Sequence, residues 1–233
     1  MAVVSRKDLE RLSYEILIDY SRNGGKVISS INPFILSHDI LNLSVDFTHL
    51  SKNGDILGLT SFSSVAVESY DDNMQGFWNC LDGKSILIEK DLNVYYRRGI
   101  MNFTLMHECA HHILKRTYPD TYGIKKRTYA YTAAGADIFD WDEWQADTLA
   151  SYLLMPQPLI YEGMEYFDMK GQISNLSFKE KCVEIYKFND LCDRLGCSRR
   201  ALSIRFNQLG LKGDDYLQNP EKEWWDIYKD ERE

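Results

Sequence analysis

The chain has 233 residues, 44% hydrophobic and 27% charged, a balance that suits a globular protein with a sizeable core and excludes a disordered or fibrous one. A formal net charge of −8 argues against a surface built for nucleic acid, and no apolar run of about 18 residues offers a membrane span. The five cysteines are odd in number and scattered, with no CxxC pair, so neither a disulfide framework nor a zinc ribbon is expected.

The opening segment, MAVVSRKDLERL, lacks the apolar core and cleavage site of a secretory signal, and a reducing, cytoplasmic setting is expected. Residues 5 to 22 place Leu9, Leu12, Ile16 and Leu17 on one helical face, and Asn23-Gly24-Gly25 ends the helix. Residues 26 to 50 show little periodicity around Pro33, and no element is predicted there. From 55 to 92, DILGLTSFSSVAVESYDD and GKSILIEKDL alternate and are β-branched, with turn residues at Asp71-Asp72-Asn73 and Asp82-Gly83-Lys84. They read as strands of a small antiparallel sheet. A helix over roughly 98 to 116 follows, then a polar, tyrosine-rich connection to about 140. A second helix over about 141 to 154 is closed by Pro156 and Pro158. After a loop, residues 178 to 210 read as two or three short helices, and 213 to 233 form a tail with eight acidic against three basic side chains.

The first of the two central helices contains FTLMHECAHHILK, residues 103 to 115, with three of the five histidines. At about 100° per residue, Phe103, Met106, Ala110, Ile113 and Leu114 form a core-facing stripe. His107 and His111 fall about 40° apart at its edge, one turn apart, where two imidazoles can converge on one ion. His112 falls opposite and is expected in solvent, and Cys109 points away from both histidines as a small packed side chain. His107-Glu108-x-x-His111 thus supplies two nitrogen ligands and a carboxylate placed to take a proton from an attacking water.

So short a pattern needs a third ligand to carry weight. The segment WDEWQADTLASYLLMP, residues 141 to 156, offers one: Glu143 and Asp147 share a helical face. Glu143 can complete the ligand set, and Asp147 can receive the free N–H of a ligand histidine and fix its tautomer. Alone, these acids would read as a solvated first helical turn. Paired with the upstream motif they read as a site.

Together, HECAHHILK and DEWQADTLASYLLMP resemble the ImmA/IrrE family of zinc metallopeptidases, over about residues 5 to 212 and most strongly from 103 to 156. The resemblance implies an α+β fold in which a small antiparallel sheet packs with zincin-like active-site helices, followed by a helix-turn-helix-like segment. The expected organisation is a metallopeptidase domain over 1–160, the helical segment over 175–212, and the acidic tail over 213–233. Carried over by position, His107, His111 and Glu143 would bind one Zn2+ per chain, Glu108 would be the general base, and Asp147 would support a ligand from behind. The chain departs from the family's pattern at Cys109-Ala110, Gln145 and Leu149. Gln145 stands where the signature has a second Glu, and Glu143 is preferred as ligand because Glu-x-x-x-Asp is the thermolysin-like, gluzincin spacing. The stretch of 32 residues from His111 to Glu143 leaves room for an insertion over the site (143 − 111 = 32).

Hydrolysis would need an oxyanion donor as well. Tyr129 and Tyr131 could reach, although tyrosines in such a connection more often serve surface packing. A peptide could add as a strand to the sheet edge, with Ser85 to Glu89 as the candidate. In KFNDLCDRLGCSRRALSIRFNQLGL, Gly196 turns the chain and Ser198 caps a second helix, with five basic and two acidic side chains from 189 to 212. A solvated accessory bundle is the favoured reading of this segment, because the tail that follows is net −5. The overall expectation is a cytoplasmic zinc endopeptidase acting on a specific protein. The resemblance suggests a helix-turn-helix transcriptional repressor as one kind of substrate, and direct nucleic-acid binding is disfavoured. The alternative is a non-proteolytic regulatory binding protein that retains the zinc site and acts through its C-terminal helices.

Overall fold

Ser5 starts the first helix, α1 (Arg6–Arg22), by accepting a hydrogen bond from the Asp8 N–H at 3.2 Å. The computed structural model describes residues 4–23, 29–123, 128–132, 140–169 and 178–211. Leu9, Leu12, Leu17 and Tyr20 are the buried large side chains of α1, and Ile16 is half-buried beside them. The segment after α1, for which the sequence predicts nothing, carries structure. Asn32 caps a single turn, α2 (Pro33–Ile35), which continues as a π-helical stretch, Leu36–Ile40, and leads into β1 (Ser44–Thr48). β1 pairs with a strand about forty residues further on, so its short, polar sequence gives no local sign of it.

Four strands form the main sheet in the order β1-β5-β2-β6, with β2 at Ile56–Ser61, β5 at Ser85–Glu89 and β6 at Thr128–Thr132. β5 runs parallel to β1 and antiparallel to β2, and β6 is antiparallel to β2. The sheet is therefore mixed. The expected peptide-binding edge at Ser85 to Glu89 is overturned, because β5 is paired on both sides; its unbroken Ile86-Leu87-Ile88 run is that of an interior strand. β6 lies in the polar, tyrosine-rich connection, where no strand is predicted.

β3 (Ser64–Tyr70) and β4 (Gly76–Asp82) form a separate hairpin whose turn is held by Asp71 Oδ1, which accepts from the Asn73 and Gln75 N–H groups. Leu50, Leu81 and Leu87 make a core with Ile56, Leu59, Val65 and Val67 that joins hairpin to sheet. A polar clasp reinforces it: buried Glu89 accepts from the Leu50 N–H and pairs with His49, while Lys90 pairs with Asp72 at the hairpin tip.

α3 (Arg98–Thr117) lies against β2 and β5 and packs on α4 (Trp141–Leu154), against which α1 also packs. Enclosed in this way, α3 buries Asn102 and every residue from Thr104 to His111, well beyond one apolar stripe.

The chain divides into two compact units, 1–27 with 31–154, and 28–30 with 155–233. The second contains α5 (Gln157–Tyr166), α6 (Phe178–Leu195) and α7 (Arg199–Gln208). α5 occupies the stretch expected as a loop. Pro158 is tolerated because it sits in the first turn, where no intrahelical N–H is required. Ser198 caps α7 as expected, and the rings of Phe188 and Phe206 meet edge-on at 5.4 Å. Arg205 is buried, with Nε donating to the Met155 carbonyl at 3.3 Å, and Arg194 pairs with Glu162 at 2.8 Å over the Tyr166 ring. Two of the basic side chains counted from 189 to 212 are thus engaged within this unit. The acidic tail, with Trp224-Trp225, lies outside the described residues. Among those residues, seven α-helices and the small sheet make an α+β chain, and no helix is long and apolar enough to cross a membrane.

Candidate metal centre

α3 brings His107, Glu108 and His111 into the interior, each fully buried, and α4 presents Glu143 and Asp147 to them from successive turns. His107 Nε2 lies 3.1 Å from Glu143 Oε2. His111 Nε2 lies 2.9 Å from His107 Nε2 and 3.5 Å from the same Glu143 oxygen. Four donors at about 2.0–2.1 Å from a tetrahedral zinc ion stand about 3.3 Å apart, so the three observed spacings fit around one such ion. His107, His111 and Glu143 form a group that could hold a metal ion. Two imidazoles and a carboxylate suit zinc or a related divalent metal.

On the other side of the His107 ring, Nδ1 is 2.9 Å from Asp147 Oδ1, the contact expected from the spacing of Glu143 and Asp147. Gln145 is turned elsewhere: its Oε1 accepts from the Val4 N–H and its Nε2 donates to the Trp141 carbonyl. Glu143, not position 145, therefore meets the histidines.

The electrostatics centre on one positive charge. Burial opposes charging His107, but hydrogen bonds with Asp147 and Glu143 outweigh it and raise the imidazole well above its ordinary range. Burial pushes His111 down to about 4. Burial also acts to raise Glu143, yet its contacts with the two imidazoles hold that carboxyl below its ordinary range. A proton or a divalent cation at this point answers the same need.

Glu108 stands apart from this network. Burial pushes its carboxyl up to about 8, against the pull of His107, and both oxygens are buried without a hydrogen-bond partner, as is Thr104 Oγ1 one turn earlier. Such orphaned groups are rare because they cost stability, and a reacting partner is a reason to keep them. β2 makes room for Glu108 at Gly58. A Cβ there would lie 2.6 Å from Glu108 Oε1 and 2.6 Å from Thr104 Cγ2.

Three tyrosines complete the surroundings. The Tyr122 hydroxyl is 2.6 Å from His111 Nδ1 and donates to the Asp142 carbonyl at 3.1 Å. The Tyr129 hydroxyl donates to Asp142 Oδ2 at 2.9 Å while its ring lies 4.2 Å from that of His111. Tyr131 lies 4.4 Å from the His107 ring. Tyr129 is buried, contrary to the expectation of surface packing, and its hydroxyl is committed to Asp142 instead of aiming at a substrate oxygen.

His112 departs from expectation. Its Nε2 is 2.7 Å from Thr60 Oγ1 and its ring meets Phe62 edge-on at 5.4 Å. The sheet covers the side of α3 that a helical wheel assigns to solvent, and burial pushes His112 down to about 4. Cys109 is a buried free thiol, as expected.

Sequence reading missed Tyr122, Asp142 and Gly58. Nothing in the local pattern points to the first two. A glycine inside a strand signals close backbone approach, and Gly58 was legible on that ground. A second group of donors, His49, Glu89 and Asp91, is present. There the Glu89 oxygens already serve His49 and the Leu50 N–H, which makes it part of the clasp described above.

No family model matches the chain, and no curated protein matches it. The case for function therefore rests on the geometry.

Proposed function

We propose that the protein is a zinc-dependent endopeptidase of the ImmA/IrrE kind, with a zincin-like arrangement of sheet and helices. The observation that carries this reading is the convergence of His107 Nε2, His111 Nε2 and Glu143 Oε2 beside an unpartnered, buried Glu108. His107, His111 and Glu143 would hold the ion. When bound, zinc supplies Lewis acidity that polarises a peptide carbonyl and makes water nucleophilic near neutral pH. Glu108 removes a proton from the attacking water and returns it to the amide nitrogen as the C–N bond breaks, leaving a carboxylate and an amine. Asp147 holds the His107 ring in place through its Nδ1.

The setting is cytoplasmic and the substrate a specific protein, for which a helix-turn-helix repressor is the class to try first. α6 and α7 resemble a helix-turn-helix pair, yet Arg194 and Arg205 are engaged internally, which favours docking of a protein over duplex DNA. An extended peptide would pair with β6, which is an edge of the sheet among the described residues.

A second reading has one observation in its favour. Both ligand rings are fully buried beside Tyr129 and Tyr131, as suits a regulatory binding protein that keeps the site without proteolysis. Glu108→Gln separates the two. The enzyme reading expects metal content and fold to persist while cleavage of the protein substrate and its cellular effect disappear. An unchanged cellular effect sinks the enzyme reading.

A further inference from the structure

We propose that Tyr122 is the positioning residue of His111, fixing its tautomer and tying it through Asp142 to the helix that carries Glu143. This rests on reading the centre as a metal site and adds a residue to it that the two motifs do not contain.

Proton counting fixes the direction of each bond. A tyrosine hydroxyl has one proton, and a backbone carbonyl can only accept. Tyr122 donates that proton to the Asp142 carbonyl at 3.1 Å, so toward His111 Nδ1, at 2.6 Å, it offers a lone pair. His111 Nδ1 must then carry its hydrogen and donate it, which leaves Nε2 bare. That bare nitrogen is the one 2.9 Å from His107 Nε2 and 3.5 Å from Glu143 Oε2.

The two ligand histidines are thus served unequally. His107 has an acidic partner, Asp147, that is 49% exposed. His111 has a neutral phenol, 2% exposed. The chain braces that phenol: Lys115 Nζ donates to the Tyr122 and Pro119 carbonyls at 3.0 and 2.8 Å, and the Tyr122 N–H donates to the Tyr118 carbonyl at 2.9 Å. Asp142 is pinned at its side chain by Tyr129, so the acceptor of the Tyr122 proton is itself fixed. Because Asp142 immediately precedes Glu143, the relay links the second histidine on α3 to the third ligand on α4.

Tyr122→Phe keeps the ring and removes the oxygen. Loss of a hydrogen-bonding partner behind a metal ligand typically weakens metal affinity by about 10- to 100-fold. The test is chelator-competition affinity for zinc, together with the visible d–d bands of the cobalt-loaded protein, for wild type, Tyr122→Phe and Leu114→Val. The last variant loosens the same helix without touching the relay. Expected are a 10- to 100-fold loss and shifted cobalt bands in Tyr122→Phe alone. Wild-type affinity and bands in Tyr122→Phe overturn the relay and leave the metal reading standing. A wild type that binds neither ion overturns both. Should Tyr122→Phe fail to fold, nitrogen-15 NMR of histidine-labelled, cadmium-loaded wild type gives the answer. It should show metal on His111 Nε2 and a protected proton on Nδ1, and a metal-bound Nδ1 overturns the proposal.

Discussion

Gly58→Ala tests the close approach of sheet and helix at Glu108. A methyl group there would stand 2.6 Å from Glu108 Oε1 and from Thr104 Cγ2, while real carbon contacts essentially never fall under 3.0 Å. Both neighbours lie on α3 inside the core, and neither can swing into solvent. Overpacking of this kind costs about 1–3 kcal/mol, and the stiffer unfolded chain returns about 0.4–1 kcal/mol of that. The net loss is roughly 1–2 kcal/mol, a fall of about 2–8 °C in thermal midpoint at about 2–4 °C per kcal/mol. Under the proposed endopeptidase reading, substrate cleavage should fall further than stability accounts for, because the displaced atom belongs to the carboxylate proposed as the base. Gly54→Ala is the control: its added methyl meets nothing within 4 Å, Glu108 included, and it suffers only its φ of +67°. Scanning calorimetry and substrate cleavage read the two effects. A Gly58→Ala protein that melts and cleaves like wild type would refute the contact between β2 and Glu108.

Chelation should lower the melting temperature, and zinc restored to 100 times its dissociation constant should return about 2.7 kcal/mol, or about 5–11 °C, by differential scanning fluorimetry. His107→Ala should abolish that response. Glu108→Gln should melt close to the wild-type temperature, since it exchanges one buried, unpartnered polar group for another of the same shape; a clear drop would mean that Glu108 has a structural task. Arg205→Ala should cost about 2 kcal/mol by orphaning the buried Met155 carbonyl, with zinc content unchanged by elemental analysis.

Where a residue's placement depends on neighbours a few positions away, the sequence was enough to find it. The helices bearing His107 and Glu143 announced themselves by period, and one turn of spacing put His107 with His111 and Glu143 with Asp147 on common faces. Strands β2, β3 and β5 were visible by alternation, whereas β4 (Gly76–Asp82) lies between the two stretches read as strands and is one because β3 pairs with it. What could not be read locally depends on distant pairing. β1 is a strand because β5 lies beside it, and β6 because β2 does. The burial of Tyr129 follows from the second of those pairings, and the covering of His112 follows from β2 lying across α3. Tyr122 is a further case: eleven residues separate it from His111, and only the loop's course after α3 brings hydroxyl to imidazole.

β6 works as a ruler against α3. Four helical residues advance about 6.0 Å and two strand residues about 6.6 Å, so two repeats of different origin nearly coincide. Tyr129 and Tyr131 can therefore each address one histidine, His111 and His107 respectively, with Ala130 turned outward and exposed between them. The match tolerates a change of side chain and does not tolerate a change of count. Deleting one residue from β6 would turn the strand over and bring Ala130's face inward, exchanging both aromatic contacts at once. The spacing of this strand is thus as much a part of the site as the spacing of the histidines.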